Sequence, residues 1–230
     1  MITYFVRKIT TSLKVTKIIE EAPNTFTFKF EVPNNIKWEP GAYAHFISSD
    51  FKSGQKMIKG LMRELSIMTH PSENELGFTT RIRENPSDFK KALQNLNVGD
   101  EIRCFKIANH IKNVNNNKPI VLISMGVGIA TLRPILLEYL SNTKKVFITN
   151  INIDGSGFFV YKEELDNLPK AYIKNHFVKN RNDLYQAIDE TLTNMENVYY
   201  IVGSSAFNKA IGNYLLKTGV HKKSIVFDKR

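Results

Sequence analysis

Over residues 14–103 apolar and polar side chains alternate in short runs. Examples are Thr25-Phe26-Thr27-Phe28-Lys29-Phe30 and Leu76-Gly77-Phe78-Thr79-Thr80-Arg81-Ile82. A period of two puts the apolar side chains on one face of an extended chain and predicts half-buried antiparallel strands. Pro33-Asn34-Asn35 and Glu39-Pro40-Gly41 supply turn chemistry between them. One helix stands apart at 87–96, with Ser87 placed to cap it and Phe89, Ala92, Leu93 and Leu96 on one face. The first half is therefore an expected β-barrel or sandwich with one helix.

The stretch 113–118, Asn113-Val114-Asn115-Asn116-Asn117-Lys118, breaks both periods and is an expected linker. Beyond it the pattern changes. Pro119-Ile120-Val121-Leu122-Ile123-Ser124 is a continuous apolar run, as expected of a strand buried on both faces. Helices are predicted over 131–141, 161–167, 181–195 and 205–218, and further strands over 145–151, 172–178, 198–202 and 224–227. Strands alternating with helices predict a doubly wound parallel sheet. The expected domains are thus 1–112 and 118–230.

Composition narrows the chemistry. The 230 residues, 42% hydrophobic, suffice for two cores of about 110 residues each. No run approaches the ~20 apolar residues of a membrane span. The apolar run near Met1 is too short for a signal peptide, so a cytoplasmic protein is expected. Cys104 is the one cysteine, which excludes an intrachain disulfide, a Cys₄ zinc site and a Cys₄ iron–sulfur cluster. Redox chemistry must then come from a bound organic cofactor or a partner. His45, His70, His110, His176 and His221 are dispersed without metal-ligand spacing and are read as structural. The net charge of +10, from 32 Lys and Arg against 22 Asp and Glu, favours anionic ligands or an acidic partner protein. The basic residues are scattered and no recognised binding motif accompanies them, so no nucleic-acid partner is expected.

Three segments can carry chemistry. Ile123-Ser124-Met125-Gly126-Val127-Gly128-Ile129-Ala130-Thr131 joins a buried strand to a helix. Glycines there let the backbone turn sharply and approach a ligand, and a helix N-terminus favours phosphate. In the first half, Gly60-Leu61-Met62-Arg63-Glu64-Leu65-Ser66-Ile67 sets a cation and a hydroxyl inside an apolar strand. Arginine's planar fork suits phosphate oxygens, and a serine hydroxyl can bond a ring nitrogen. Ser87 stands at a helix N-terminus, a third place for an anion. Each alone is also compatible with an ordinary turn, strand or cap.

Taken in order, these segments resemble the ferredoxin–NADP reductase superfamily over nearly the whole chain. Trp38-Glu39-Pro40-Gly41-Ala42-Tyr43 resembles its Pro-Gly-Gln-Phe/Tyr turn, and Arg63-Glu64-Leu65-Ser66 its Arg-x-Tyr-Ser flavin motif. Thr80-Arg81-Ile82 matches the strand touching the cofactor's linker, and Pro86-Ser87 stands at the phosphate-binding helix. Asn97-Val98-Gly99-Asp100-Glu101-Ile102 is similar to the turn into the last barrel strand. Met125-Gly126-Val127-Gly128-Ile129-Ala130-Thr131 resembles the Gly-Gly-x-Gly-Ile-Ala-Pro nicotinamide loop, and Val202-Gly203-Ser204 the Cys-Gly-Pro segment. Three departures stand out: Leu65 for the usual aromatic, Val202 for the cysteine, and Lys106-Ile107-Ala108-Asn109-His110 for the Gly-Pro-x-Gly that closes the barrel.

The resemblance implies an antiparallel Greek-key flavin-binding β-barrel followed by a doubly wound nicotinamide-binding α/β domain. It implies FAD rather than FMN, with NADH or NADPH as co-substrate, a hydride passing to the flavin and electrons on to a separate acceptor. Arg63 would bind the flavin pyrophosphate and Ser66, as catalytic residue, would face N5 of the ring. Glu64, Leu65, Thr80, Arg81, Ile82 and Ser87 would complete the flavin site. Gly126, Gly128, Ile129, Thr131, Gly203 and Ser204 would form the nicotinamide site. Asn150 and Asn152, read as following the second strand of the sheet where an arginine for a 2′-phosphate is usual, lean toward NADH, with Lys179 or Arg181 as substitutes. The departures leave an alternative: a flavin-binding electron-transfer or assembly subunit with little turnover of its own.

Overall fold

The computed structural model describes residues 10–48, 59–111, 117–194 and 196–228. The expected linker at 113–116, the N-terminal run through Lys8, and Lys52 and Lys56 lie outside them. The chain divides into two compact units, Met1–Asn109 and His110–Arg230.

The first unit holds strands β1 (Thr11–Ala22), β2 (Thr25–Glu31), β3 (Ala42–Ile47), β4 (Met62–Ser66), β5 (Glu75–Arg81) and β6 (Glu101–Asn109), and helix α1 (Asp88–Gln94). They pair antiparallel in the order β4-β3-β6-β1-β2-β5. Just past β4, the Met68 N–H donates to the Gly77 carbonyl of β5 at 2.8 Å, which ties the two ends of the strand order together. The result is barrel-like, as the alternation predicts. Its interior holds Phe28, Phe30, Phe46, Phe78 and Phe89 with ring centroids 4.6–6.4 Å apart, together with Leu13, Ile102 and Cys104. Cys104 is 1% exposed, and burial pushes its thiol up to about 11.

The second unit runs β7 (Ile120–Met125), α2 (Ile129–Ser141), β8 (Ile148–Ile153), α3 (Lys162–Asp166), β9 (Ile173–Val178), α4 (Arg181–Thr191), β10 (Val198–Val202), α5 (Ser205–Lys217) and β11 (Ile225–Phe227). All five strands are parallel, in the order β11-β10-β7-β8-β9. Val121, Ile123, Ile151 and Ile201 on one face pack with Leu184, Ala187 and Ile188 of α4 and Ile211 and Leu215 of α5. On the other face the Tyr139 hydroxyl of α2 lies 3.2 Å from that of Tyr200. Helices on both faces make the sheet doubly wound, with its topological switch point between β7 and β10.

One expectation needs correction. The second strand of this sheet spans 148–153, not 145–151, and Asn150 and Asn152 lie within it at 0% exposure rather than beyond it. Asparagine is a poor strand former, and here pairing on both sides overrides that preference. Ile148 pairs with Ile120 and with Ile173, and Asn152 with Ser124 and with Phe177. Among the described residues no helix is long and apolar enough to cross a membrane, and no His, Cys, Asp or Glu group could hold a metal ion.

Candidate functional site

In the first unit the register of β4 against β3 sets Arg63 opposite Phe46, Glu64 opposite His45, Leu65 opposite Ala44 and Ser66 opposite Tyr43. Ala44 and Phe46 belong to the barrel interior, so alternation puts Arg63 and Leu65 on the inner side and Glu64 and Ser66 on the outer. Leu65 is accordingly packed against the core. Ser66 is buried, with Tyr43 across from it; the Tyr43 ring lies 6.0 Å from His45, and His45 lies 5.1 Å from Phe105. His45 Nε2 is 3.6 Å from Glu64 Oε2, while His45 Nδ1 is buried without a hydrogen-bond partner. Sequence reasoning placed Tyr43 only in the turn before β3 and read His45 as structural; the pairing register sets Tyr43 across from Ser66 and His45 across from Glu64.

At the end of β5, Thr80 is buried, the Arg81 Nε donates to Thr25 Oγ1 at 3.2 Å, and the Ile82 N–H donates to the Asn24 carbonyl at 2.7 Å. Ser87 takes the cap position of α1 with extended backbone, but its hydroxyl makes no capping bond. Its Oγ is instead buried and unpartnered. One turn on, Lys90 donates to the Arg81 carbonyl at 2.5 Å. Burial, then the Arg83, Arg63 and Arg81 charges, hold the Lys90 ammonium below the usual lysine value.

Arg63 of β4 and Arg81 and Arg83 at the β5 end thus all act on Lys90, one turn along α1 from the unpartnered Ser87 hydroxyl. Positive charge gathered in this way favours an anion, and guanidinium forks suit phosphate oxygens. Arg83 and Lys90 were not among the expected site residues. Their signal was present as Arg81-Ile82-Arg83 and as a lysine three residues past Ser87.

In the second unit Gly126 has φ 54, in the left-handed region that favours glycine. Gly126–Gly128 forms one 3-10 turn, and Gly128 leads into α2 without a side-chain cap. A Cβ on Gly128 would stand 2.5 Å from the Val202 carbonyl oxygen, and one on Gly203 would stand 3.1 Å from the Met125 Cβ. The loops after β7 and β10 thus pack backbone against backbone across the switch point. Ser204 caps α5, its Oγ accepting from the Phe207 N–H at 3.2 Å. Ile129 and Thr131 are buried and anchor the first turn of α2. The geometry brings Gly126, Gly128, Gly203 and Ser204 together at two helix N-termini, where backbone N–H groups and helix dipoles favour an anion.

Past β8 the chain continues with Asp154, whose Oδ1 accepts from the Ser156 N–H at 3.0 Å and the Ser156 hydroxyl at 2.7 Å. Lys179, beyond β9, runs close to Gly157. At the opposite, amino ends of these strands lies a separate cavity of about 360 Å³. It is lined by Lys174, His176 and Glu190, with Lys174 Nζ 2.7 Å and His176 Nε2 3.7 Å from Glu190 Oε2.

No protein-family model matches the chain, and comparison with curated proteins finds no match. Solved structures do match. A cytochrome P450 reductase from Amycolatopsis superposes with a TM-score of 0.80 at 14% identity, over 96% of this chain and 70% of that one. A ferredoxin NADP+ reductase from Neisseria gonorrhoeae with bound FAD and NADP gives 0.79 at 16% identity, over 95% of this chain and 98% of that one. A variant ferredoxin-NADP+ reductase from Plasmodium falciparum with 2'P-AMP gives 0.80 at 17% identity, over 95% and 96%. An antiparallel barrel followed by a five-stranded parallel sheet is the ferredoxin–NADP reductase-like fold, and this chain has it.

Proposed function

We propose that this protein is an NAD(P)H-dependent flavoprotein oxidoreductase, with FAD on the barrel unit and NADH or NADPH on the α/β unit. The observation that carries the reading is that one chain holds two anion-accepting sites of different construction. One is the charged cluster of Arg63, Arg81, Arg83 and Lys90 beside the unpartnered Ser87 Oγ. The other is the pair of glycine turns at the switch point of the parallel sheet. The likeness to a ferredoxin NADP+ reductase solved with bound FAD and NADP supports the same assignment.

A flavin held here would supply the two-electron chemistry between a nicotinamide and an acceptor. The chain's own residues bind and orient. Arg63, Arg81 and Lys90 would neutralise a pyrophosphate, Ser87 would offer it a hydroxyl, and Thr80 and Ile82 would line the linker. Ser66, on the outer face of β4 with Tyr43 across from it, would offer its hydroxyl to the ring, and Glu64 and Leu65 fix the strand that carries it. Gly126, Gly128, Ile129, Thr131, Gly203 and Ser204 shape the nicotinamide nucleotide site. Asp154, the first residue beyond β8, favours the ribose hydroxyl of NADH over the 2′-phosphate of NADPH. The acceptor is a separate molecule, and the +10 charge favours an acidic electron-acceptor protein in the cytoplasm.

The inward packing of Leu65 favours a second reading, a flavin-binding electron-transfer or assembly subunit with little turnover. One experiment separates them. The purified protein should show flavin absorption, and anaerobic NADH should bleach it within seconds. A coloured protein that neither NADH nor NADPH bleaches supports the second reading. A protein that binds no FAD overturns both.

A further inference from the structure

Asn152 sits where β8 pairs with β7, directly opposite Ser124 and fully buried. Its Nδ2 donates to Ser124 Oγ at 2.7 Å and to the Gly126 carbonyl at 3.2 Å. Its Oδ1 is buried and accepts nothing. Leaving an amide oxygen unsatisfied costs stability, so the side chain is placed for what its Nδ2 donates to and not for its own full satisfaction. The amide's useful work is at the Gly126 turn.

That work can be read from the peptide plane. In a trans peptide the C=O of one residue and the N–H of the next point in opposite directions. With the Gly126 oxygen drawn toward Asn152, the Val127 N–H is turned away from β8. From the other flank the Val202 carbonyl lies where a Cβ on Gly128 would stand, which fixes the far end of the same turn. The turn is thus clamped by β8 on one side and by the end of β10 on the other, with Gly126 held at φ 54 between them.

We propose that Asn152 is a positioning residue for nucleotide binding: it orients the Gly126–Val127 peptide so that its N–H meets the pyrophosphate of a nicotinamide dinucleotide. This rests on the function proposed above. The carboxamide never touches the ligand; it acts through the Gly126 carbonyl. A ligand bound by preorganised backbone donors loses affinity when those donors are released, even though no contact side chain has changed.

The test uses the full-length, flavin-loaded protein and oxidised NAD⁺ and NADP⁺ as probes, measured by titration calorimetry beside the thermal midpoint. Asn152→Leu keeps the branched heavy-atom skeleton and removes every bond the amide donates, to Ser124 and to Gly126. It should weaken the better-bound nucleotide about tenfold, the loss expected for one backbone donor misaimed at a charged group, with flavin content retained and a loss that exceeds what any fall in midpoint accounts for. Asn152→Asp is isosteric and presents oxygen to the Gly126 carbonyl when ionised. It should bind weakly at neutral pH and recover as falling pH protonates the carboxyl and restores a donor, a profile the wild type lacks. Unchanged affinity in either folded variant overturns the proposal, as does a loss that only tracks a lowered midpoint. Wild-type protein that binds neither nucleotide would instead overturn the proposed function, and this inference with it.

Discussion

The carbonyl oxygen of Val202 lies 2.5 Å from the place a Cβ would occupy on Gly128, so the end of β10 leaves no room for any side chain on the turn after β7. Backbone, unlike the tip of a flexible side chain, does not yield cheaply. Gly128→Ala should therefore displace the turn, lowering nucleotide affinity by tenfold or more. Flavin absorption should be retained, because the barrel unit has its own core. Rapid-mixing reduction by NADH measures it, and an unchanged reduction rate would show the turn to be structural only.

Arg63 should control flavin retention. Removing charge-assisted bonds to a pyrophosphate costs about 1.5–3 kcal/mol, so Arg63→Ala should raise the FAD dissociation constant roughly 10- to 150-fold. Fluorescence titration of FAD into flavin-stripped protein reads this directly. An unchanged constant would remove Arg63 from the site.

Lys90 makes flavin affinity depend on alkaline pH. Its ammonium is held below the usual lysine value of 10.5 by burial first and by Arg83, Arg63 and Arg81 after it. An entering anion favours the charged form and raises that value again, so binding takes up a proton. Affinity for FAD should be full below the depressed pKa and fall as pH rises through it. Lys90→Arg, charged throughout, should flatten the profile, and a profile unchanged in that variant would place the titrating group elsewhere.

Stability on the acid side should depend on His176. Burial, ahead of the Lys174 charge, holds its pKa below the usual 6.5, while Glu190 opposes the shift. The unfolded chain therefore takes up a proton at a pH where the folded one does not. The stabilisation is full above about 6.5 and is lost as pH falls toward the lower folded value. Glu190, also held low, adds a loss in the same direction beginning near the usual glutamate value of 4.5. His176→Gln should flatten the fall of the thermal midpoint between pH 7 and 5, and an identical slope in variant and wild type would contradict this.

Local rules made most of the fold legible. Alternation marked the barrel strands, and the position of α1 followed from Ser87 and the spacing of Phe89, Ala92 and Leu93. The glycines at 126 and 128 marked a turn that the structure places at the switch point. What failed was non-local. Asn150 and Asn152 read as the end of a strand because their burial depends on neighbours on both sides. The convergence of Arg63, Arg81, Arg83 and Lys90 joins three separate elements, and Tyr43 meets Ser66 only through the register of β3 on β4. Ser87 was placed correctly, yet its hydroxyl turns from the capping bond the local rule assigns it.

The barrel interior has a practical consequence for following this protein in solution. Cys104 is the chain's one cysteine; sealed among Leu13, Phe46 and Ile102, with its thiol pushed to about 11, it stays protonated at neutral pH and out of reach of alkylating reagents. The native molecule is therefore silent to maleimide chemistry. A single cysteine introduced at an exposed position, such as Phe158 beyond β8 or Val98 before β6, becomes the reactive handle without any need to remove Cys104. A dye or spin label placed there reports on one chosen unit alone.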